Sequence, residues 1–433
     1  RQSSTSAWEV KNRLVDKTRQ WQPLTLEQPQ RRQLSSTTSL SQYDTAEQHA
    51  AALRTIMTSG KTNLHDYGYP LNNELDTART HAYGIQVRMH EDAQKFFKAY
   101  SYNARPQLPE IPQNASAQDM FKLLYGKTSG IIVGEAHHYA GSKKLIIDNM
   151  QFLAEQNVKV LYLEHLQTDF HQRDLNAFFD TGHMPIQLEH FLRSQDLGHR
   201  VNSSTYTFSN LVREAQRHGI RIQALDCFVS YHCSGLERRS ALNPRIEMMS
   251  YGASQIIRND QTFTPRRWLA LTGNTHTNTY QGIPGLAELE GGIGLRIMDV
   301  APGSQVSLRR DPGLITSRLG AFYDHQLIKS DFVLDVEIPG TPSINPRLPA
   351  TYLQRVLKQP GAFTFGVSLE QRPELIHRSR SGLIVYTPLQ IDTRGNIFIS
   401  RPAWLDIHEK RYALLSDLVA DLQNRGMSGQ LSG

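Results

Sequence analysis

The chain contains very little cysteine. Only Cys227 and Cys233 occur among its 433 residues. Two cysteines in a chain of this length exclude a fold built on a disulfide framework, and they are compatible with a reducing compartment. Neither thiol has an activating sequence context, so we expect both to pack rather than to react.

The chain also lacks a long apolar segment. No run approaches the roughly 20 apolar residues that a helix needs to cross a bilayer. The sequence begins with Arg rather than Met and contains no signal peptide. We therefore expect a processed piece of a longer protein, with any export signal located outside it.

Signatures of several enzyme and binding classes are absent. The chain has no Gly-x-Ser-x-Gly nucleophile elbow and no His-Glu-x-x-His zinc motif. The net charge is +6 and the pI about 9.2, yet the basic residues are spread along the chain. This pattern argues against nucleic acid as a partner, whereas an anionic membrane surface or an acidic protein is compatible with it.

Short apolar runs that end in ionisable groups are what the chain does contain. The run 131–133 is followed by Glu135 and His137, and the run 158–163 by Glu164 and His165. Uninterrupted β-branched and apolar runs are typical of strands buried on both faces of a parallel sheet.

The same arrangement continues along the chain. The run 220–225 precedes Asp226, the run 267–272 precedes Asn274 and His276, and 294–300 reads as a fifth strand. Because the carboxyl ends of parallel strands share one edge of a sheet, we expect these side chains to converge there. His138 and Asn274 are expected to shape the pocket.

The predicted cluster suits hydrolysis. Two carboxylates in one pocket repel, so we expect one of Glu135 and Glu164 to hold a proton near neutrality. The imidazoles can carry protons or stabilise an oxyanion. The cofactor is either absent or a divalent metal, which would take its ligands from Glu135, His137, Glu164 and His276.

A plainer interpretation competes with this one. Taken alone, a strand-terminal Glu or His is more often a helix cap or an ion pair, whereas burying the whole set without use would be costly. We expect the remaining histidines of this region to be surface residues: His171, His183, His190, His199 and His218.

Three regions are predicted. Residues 1–112 form a helical N-terminal region, interpreted as a membrane-targeting or linker module. Residues 113–305 form an α/β domain with a mainly parallel sheet flanked by helices, and residues 306–433 an α+β C-terminal extension.

The strand-end motifs resemble those of a known superfamily. They are Gly134-Glu135-x-His137, Glu164-His165, Leu225-Asp226 and Gly273-Asn274-x-His276. This set is similar to the superfamily that joins erythromycin esterases, ChaN-like haem-binding proteins and TIKI/TraB proteases, over about residues 128–302. Within it the pattern looks most like effector domains of large bacterial toxins, including the Ras/Rap-specific endopeptidase of the MARTX toxins and the related region of dermonecrotic-type toxins.

The resemblance implies a catalytic set and supporting residues. The catalytic residues would be Glu135, His137, Glu164, His165 and His276, supported by Asp226, His138 and Asn274. One of the two glutamates would act as general base on water, and His276 or His165 would stabilise the oxyanion or protonate the leaving amine.

The resemblance also implies a function. The chain would be a secreted toxin effector domain, delivered to the host cytoplasm and acting as a site-specific endopeptidase on a host protein, with an anionic membrane surface as a second partner. Ester hydrolysis in the same fold is one alternative. A non-catalytic haem- or protein-binding module is another, and a degenerate domain used only for targeting is a third.

Overall fold

The computed structural model describes most of the chain between residues 73 and 429. The described residues are 40–44, 73–101, 104–199, 203–231, 244–263, 265–304, 306–317, 325–341, 348–368, 372–392, 394–399 and 410–429. Of the predicted helical N-terminal region, residues 1–39, 45–72, 102 and 103 lie outside these residues.

A seven-stranded sheet forms the centre of the molecule. Its strands are β1 (Gly130–Glu135), β2 (Val158–Gln167), β3 (Arg221–Asp226), β4 (Arg267–Gly273), β5 (Ile293–Val300), β6 (Leu308–Arg310) and β9 (Phe332–Glu337). Their spatial order is β3-β2-β4-β1-β5-β9-β6. All neighbours pair in parallel except β9 and β6, which are antiparallel. The predicted α/β class with a mainly parallel sheet is thus confirmed.

Burial explains the unbroken apolar run of β1. Every residue of β1, β3 and β5 is buried. A strand that is buried on both faces needs no alternation with solvated residues. The polar residues that interrupt β3 and β5, such as Arg221, Gln223 and Arg296, are buried as well. The five predicted strands of the α/β region are confirmed, and β2 continues past Leu163 to Gln167.

Helices flank this sheet. They are α1 (Asn73–Ala99), α2 (Ala117–Tyr125), α3 (Gly141–Asp148), α4 (Met150–Glu155), α5 (Gln172–Thr181), α6 (Ile186–Gly198), α7 (Phe208–Arg217), α8 (Phe228–Tyr231), α9 (Pro244–Phe263) and α10 (Leu286–Glu290). A short 3-10 turn, Leu40–Tyr43, also packs on the core. No helix within the described residues is long and apolar enough to span a membrane.

Local sequence determines where these helices begin. The Ser116 hydroxyl accepts a hydrogen bond from the Asp119 N–H, and the Asp119 carboxylate accepts one from the Ser116 N–H. These two bonds form a capping box for α2. At α7, the Thr207 hydroxyl accepts from the Asn210 N–H. The buried face of α7 repeats at helical spacing, so apolar packing holds the helix against the sheet.

The C-terminal part adds smaller sheets. The remaining elements are β7 (Leu314–Ser317), β8 (His325–Ile328), α11 (Ala350–Val356), β10 (Ala362–Val367), β11 (Pro373–Arg378), β12 (Ile384–Pro388), β13 (Gln390–Ile391), β14 (Ile397–Phe398), α12 (Leu415–Asn424) and β15 (Ser428–Gly429). Four of them form a sheet in the order β12-β11-β10-β15. The division at residues 112 and 305 stays a prediction, and β6 and β9 beyond 305 complete the central sheet.

Candidate active site

The carboxyl ends of β1, β2 and β4 meet at the middle of the central sheet. An ideal Cβ on Gly273, the last residue of β4, would lie 3.6 Å from Glu164 Oε2, 3.7 Å from His276 Cδ2 and 3.9 Å from His137 Cε1. Side-chain atoms of three of the predicted residues therefore lie within 4 Å of the position that a Cβ on Gly273 would take. We call the space between Gly273 and these three side chains the space above Gly273.

Glu135 organises the first half of the site. Its carboxylate is fully buried and accepts hydrogen bonds on both oxygens. Oε1 lies 2.6 Å from His165 Nε2 and 3.2 Å from His137 Nδ1. Oε2 accepts from Lys143 Nζ at 3.0 Å, with Ser142 Oγ at 3.5 Å. Glu135 is thus saturated with donors, one of them a full positive charge.

These contacts determine the charge of the first half. Burial by itself would raise the pKa of Glu135, but the charges of Lys143 and His165 outweigh it and hold that pKa well below its usual range. The hydrogen bond to Glu135 raises the pKa of His137. The His137 side chain is 61% exposed, so this half opens to solvent through an imidazole.

Glu164 organises the second half. Its Oε2 accepts from the Gly273 N–H at 2.5 Å, and its Oε1 lies 3.3 Å from Arg245 Nη2 and 3.5 Å from His276 Nε2. Burial alone would raise the pKa of Glu164, but His276 and Arg245 lower it to about 2. The carboxylate is ionised, and both it and His276 are buried.

Arg245 joins the second half to β3. It donates to Asp226 Oδ2 at 2.7 Å as well as to Glu164. Burial raises the pKa of Asp226, and the Arg245 charge opposes that rise. Arg245 thus links Asp226 to Glu164, and the supporting role of Asp226 stays a prediction.

His276 lies on the 3-10 turn that follows β4. Its Nδ1 lies 2.9 Å from Ser250 Oγ on α9. Burial lowers the pKa of His276 to about 4, against the raising effect of Glu164. This imidazole is therefore neutral at pH 7.

The expectation that one glutamate would hold a proton differs from the structure. The pKa values of Glu135 and Glu164 are both lowered. The reason is that each carboxylate has its own cation, Lys143 or Arg245, so the repulsion between them is compensated separately.

The two weaker predicted residues lie at the margin. His138 is exposed and packs edge-on against the Tyr139 ring, 4.3 Å between centroids. Asn274 Oδ1 is buried without a hydrogen-bond partner, and a Cβ on Gly134 would lie 2.7 Å from it. Asn274 and Thr277 together thus require a glycine as the penultimate residue of β1.

Sequence reasoning missed several members of the cluster. Lys143, Arg245 and Ser250 lie on helices, where charged and hydroxyl residues usually face solvent. Lys143 follows Glu135 by eight positions, one loop and one helical turn away, and that proximity was the available signal. Nothing in the sequence marks Arg245 or Ser250.

The interpretation of two histidines as surface residues is wrong. The His199 ring stacks on His137, with centroids 4.6 Å apart and planes 23° apart, and burial lowers its pKa to about 3. His171 is buried, accepts the Gln167 N–H on Nδ1 at 2.8 Å, and packs on Phe191. Burial lowers the pKa of His171 to about 3. His171 follows the end of β2, and His199 follows the end of α6. The packing of these segments covers the two rings, and the local sequence around a single histidine does not predict that packing.

One group within the described residues has the donors of a metal site. Ligand atoms of Glu135, His137, His165 and His199 all lie within 4.8 Å of one another. Three imidazoles and a carboxylate suit a transition metal. This set shares only Glu135 and His137 with the predicted ligands, and the Lys143 ammonium already neutralises its carboxylate.

A cavity of about 870 Å³ lies apart from the strand ends, at the start of β5 and β9. Arg105, Asn278, Glu288, Lys329, Asp331 and Asp392 are among its lining residues. Arg105 and Asp331 form a bidentate ion pair there. None of the predicted catalytic residues lines this cavity.

Comparison with known proteins gives weak similarity to bacterial toxins. The chain is 24% identical over 232 residues to a multifunctional-autoprocessing repeats-in-toxin (MARTX) protein of Vibrio vulnificus, covering 53% of this chain and 4% of that protein. No protein-family model matches the chain.

Some solved structures share part of the fold. RRSP, a MARTX effector domain from Vibrio vulnificus, is 21% identical with a TM-score of 0.36, over 42% of this chain and 36% of that one. The C-terminal region of Pasteurella multocida toxin is 14% identical with a TM-score of 0.39, over 52% and 31%. ChaN of Campylobacter jejuni is 15% identical with a TM-score of 0.26, over 51% and 91%.

The chain thus spans about a third of each of the two toxin structures, and TM-scores below 0.5 make these likenesses partial. The predicted resemblance to large bacterial toxins is confirmed as weak sequence similarity to part of a MARTX toxin.

Proposed function

We propose that the chain is a hydrolase, most specifically an endopeptidase that cleaves a host protein after toxin delivery. One observation carries this proposal. Two buried, ionised carboxylates and the imidazoles of His137 and His276 converge at the carboxyl edge of the sheet, around Gly273. Weak homology to a MARTX toxin supports the toxin context.

His137 is the group best suited to activate water. Glu135 and Glu164 are weak bases because their cations hold their pKa values low. The Nδ1 of His137 faces Glu135 at 3.2 Å, which leaves Nε2 to accept a proton. Glu135 then orients the ring and stabilises the imidazolium, as the buried acid of a hydrolytic triad does.

The second half of the site serves the substrate carbonyl. The neutral imidazole of His276 can donate a hydrogen bond to the oxyanion that forms when water attacks. We assign the Ser250 hydroxyl as the donor to Nδ1, at 2.9 Å, which places the single N–H of the neutral ring on Nε2. Nε2 lies 3.5 Å from Glu164 Oε1, longer than a normal hydrogen bond, so this N–H can donate to the oxyanion. The proton on His137 Nε2 then passes to the leaving amine, which balances the step.

A thiol nucleophile has no support within the described residues. Cys227 is buried, and burial raises the pKa of its thiol well above the usual range. Cys233 lies outside the described residues. A metal held by Glu135, His137, His165 and His199 would supply an activated water at the same place.

The test is quantitative mass spectrometry of host-cell lysate incubated with wild type, with Glu135→Gln or with His137→Gln, each with and without chelator. New protein termini that appear with wild type and disappear with both variants are the expected result. Termini that persist in both variants, or no new termini with wild type, would overturn the peptidase. Ester hydrolysis and haem binding would then be tested with ester substrates and by a Soret band.

A further inference from the structure

Lys143 is a lysine with no exposed side-chain surface, buried in contact with the candidate active site. Its ammonium donates to Glu135 Oε2 at 3.0 Å and to the Tyr139 carbonyl at 3.2 Å. It also lies 4.2 Å from the centroid of the Phe208 ring. A buried ammonium is costly to desolvate, so its charge needs a partner, and Glu135 is the carboxylate in contact with it.

The fold determines the position of the Lys143 side chain. Lys143 lies in the first turn of α3, which follows β1 after a short loop. Side chains on a helix point back toward its N-terminus, so the Lys143 side chain points toward the end of β1. Asp299 at the end of β5 accepts the N–H groups of Ala140 and Gly141, each at 2.8 Å. A Cβ on Gly141 would lie 2.4 Å from Asp299 Oδ1, so the close approach requires glycine.

We propose that Lys143 is a positioning residue, the internal counter-ion that keeps Glu135 aligned on His137 and His165 and takes the electrostatic place of a divalent cation in this cluster. This inference rests on the proposed function of the same site. It adds a role for a residue that neither touches the substrate space above Gly273 nor belongs to the predicted set.

The competition between the lysine and a cation follows from the distances. The atoms of Glu135, His137, His165 and His199 that could ligate a metal lie within 4.8 Å of one another. The ammonium stands 3.0 Å from the same carboxylate. Two positive charges on one buried carboxylate repel strongly, because water does not screen them there. Removing the ammonium leaves a buried carboxylate whose charge a metal ion can neutralise.

The experiment compares Lys143→Met with Lys144→Met. Lys144 is the next residue, partly exposed and paired with Asp148 on the outer side of α3. Calorimetric titration with Zn²⁺ should give an affinity at least about tenfold higher for Lys143→Met than for wild type, with Lys144→Met unchanged. Cleavage activity of metal-free Lys143→Met should fall about 100-fold or more, since Glu135 loses its alignment.

A double variant tells a positioning role from a purely structural one. If Lys143 acts through Glu135, then Glu135→Gln/Lys143→Met has the activity of Glu135→Gln alone and is more stable to denaturant than Lys143→Met. If Lys143→Met does not fold, recovery of folding in the double variant supports the proposal, and failure of both to fold overturns it.

Other outcomes also count against the proposal. Equal Zn²⁺ affinity in wild type and a folded Lys143→Met would overturn it, as would full activity of Lys143→Met. The binding measurement needs no substrate, so it reports on Lys143 even if wild type cleaves nothing. In that case the peptidase proposal would fail separately.

Discussion

The two halves of the strand-end cluster each neutralise a buried carboxylate, but with different partners. Glu135 and Glu164 are both buried and both ionised. Glu135 is neutralised by a lysine from the adjacent helix and reaches solvent through His137, which is 61% exposed. Glu164 is neutralised by an arginine from a distant helix and contacts a buried, neutral His276.

The difference separates two chemical tasks. An imidazole that is exposed and whose pKa is raised can exchange protons with water and substrate. An imidazole that is buried and whose pKa is lowered keeps one tautomer and can serve as a fixed hydrogen-bond donor. The first half, around Glu135 and His137, is the open half and is suited to proton transfer. The second half, around Glu164 and His276, is the closed half and is suited to stabilising charge that develops on the substrate.

Replacing His137 should have the largest effect on activity. His137→Gln removes the proton acceptor while leaving Glu135 paired with Lys143 and His165. We expect cleavage activity to fall about 10²- to 10⁴-fold, measured on the products found in lysate. The neighbouring exposed residue gives the control: an equal loss in His138→Gln would mean that the open half has been misassigned.

Breaking the closed half should act mainly on stability. Arg245→Met leaves the Glu164 and Asp226 carboxylates without their shared cation. Removing one partner of a buried pair costs about 3–5 kcal/mol, to be read from the free energy of unfolding in urea. Arg193→Met, at a residue 65% exposed, should cost less than about 1 kcal/mol. Similar small costs for both variants would show that Arg245 is not the counter-ion of this half.

The pKa values of the two imidazoles should be shifted in opposite directions. The pKa of His137 is raised from 6.5 by its bond to Glu135, and burial lowers that of His276 to about 4. His137 therefore stabilises the fold below pH 6.5 and loses that contribution as pH rises through its folded pKa. His276 stabilises it above pH 6.5 and loses that contribution as pH falls from 6.5 toward 4.

NMR of histidine-labelled protein can check these titrations, with resonances assigned from His137→Gln and His276→Asn. Two histidines that titrate together near pH 6.5 would remove the contrast between the halves.

The smallest expected effect concerns Ser250. Ser250→Ala deletes the hydroxyl that lies 2.9 Å from His276 Nδ1. We expect a loss of about 1–3 kcal/mol in the free energy of unfolding, because a buried ring nitrogen is left unsatisfied. Ser209→Ala, at a partly buried hydroxyl bonded to Asp196, is the matched control. If Ser250→Ala also changes the pKa of His276, the hydroxyl helps to set the tautomer.

The sequence predicted the sheet and the residues on its edge because both follow from periodicity. Uninterrupted apolar runs indicate buried parallel strands, and a parallel sheet brings Glu135, Glu164 and Asp226 to one side. The protonation states were not predictable. They depend on Lys143 and Arg245, whose helices reach the edge through packing that no local pattern encodes.

His199 illustrates the same limit. A histidine just after an amphipathic helix looks like a surface residue, and only the docking of α6 brings it against His137. The sequence predicts an α+β C-terminal extension, but the pairing of β9 with β5 depends on contacts between distant segments.

The measurement that tests the central claim most directly is the activity of Gly273→Ala beside its stability. Gly273 has φ −61° and ψ 152°, which alanine adopts freely, and its Cβ would meet neighbours at ordinary contact distances of 3.6 Å or more. The methyl group would fill the point that His137, Glu164 and His276 surround. Gly84→Ala, where a Cβ meets nothing within 4 Å, is the control.

If that space holds the reacting groups, Gly273→Ala keeps its free energy of unfolding within about 1 kcal/mol of wild type and loses cleavage activity at least about 100-fold. A Gly273→Ala protein that is stable and as active as wild type would contradict the assignment of the active site to this edge of the sheet.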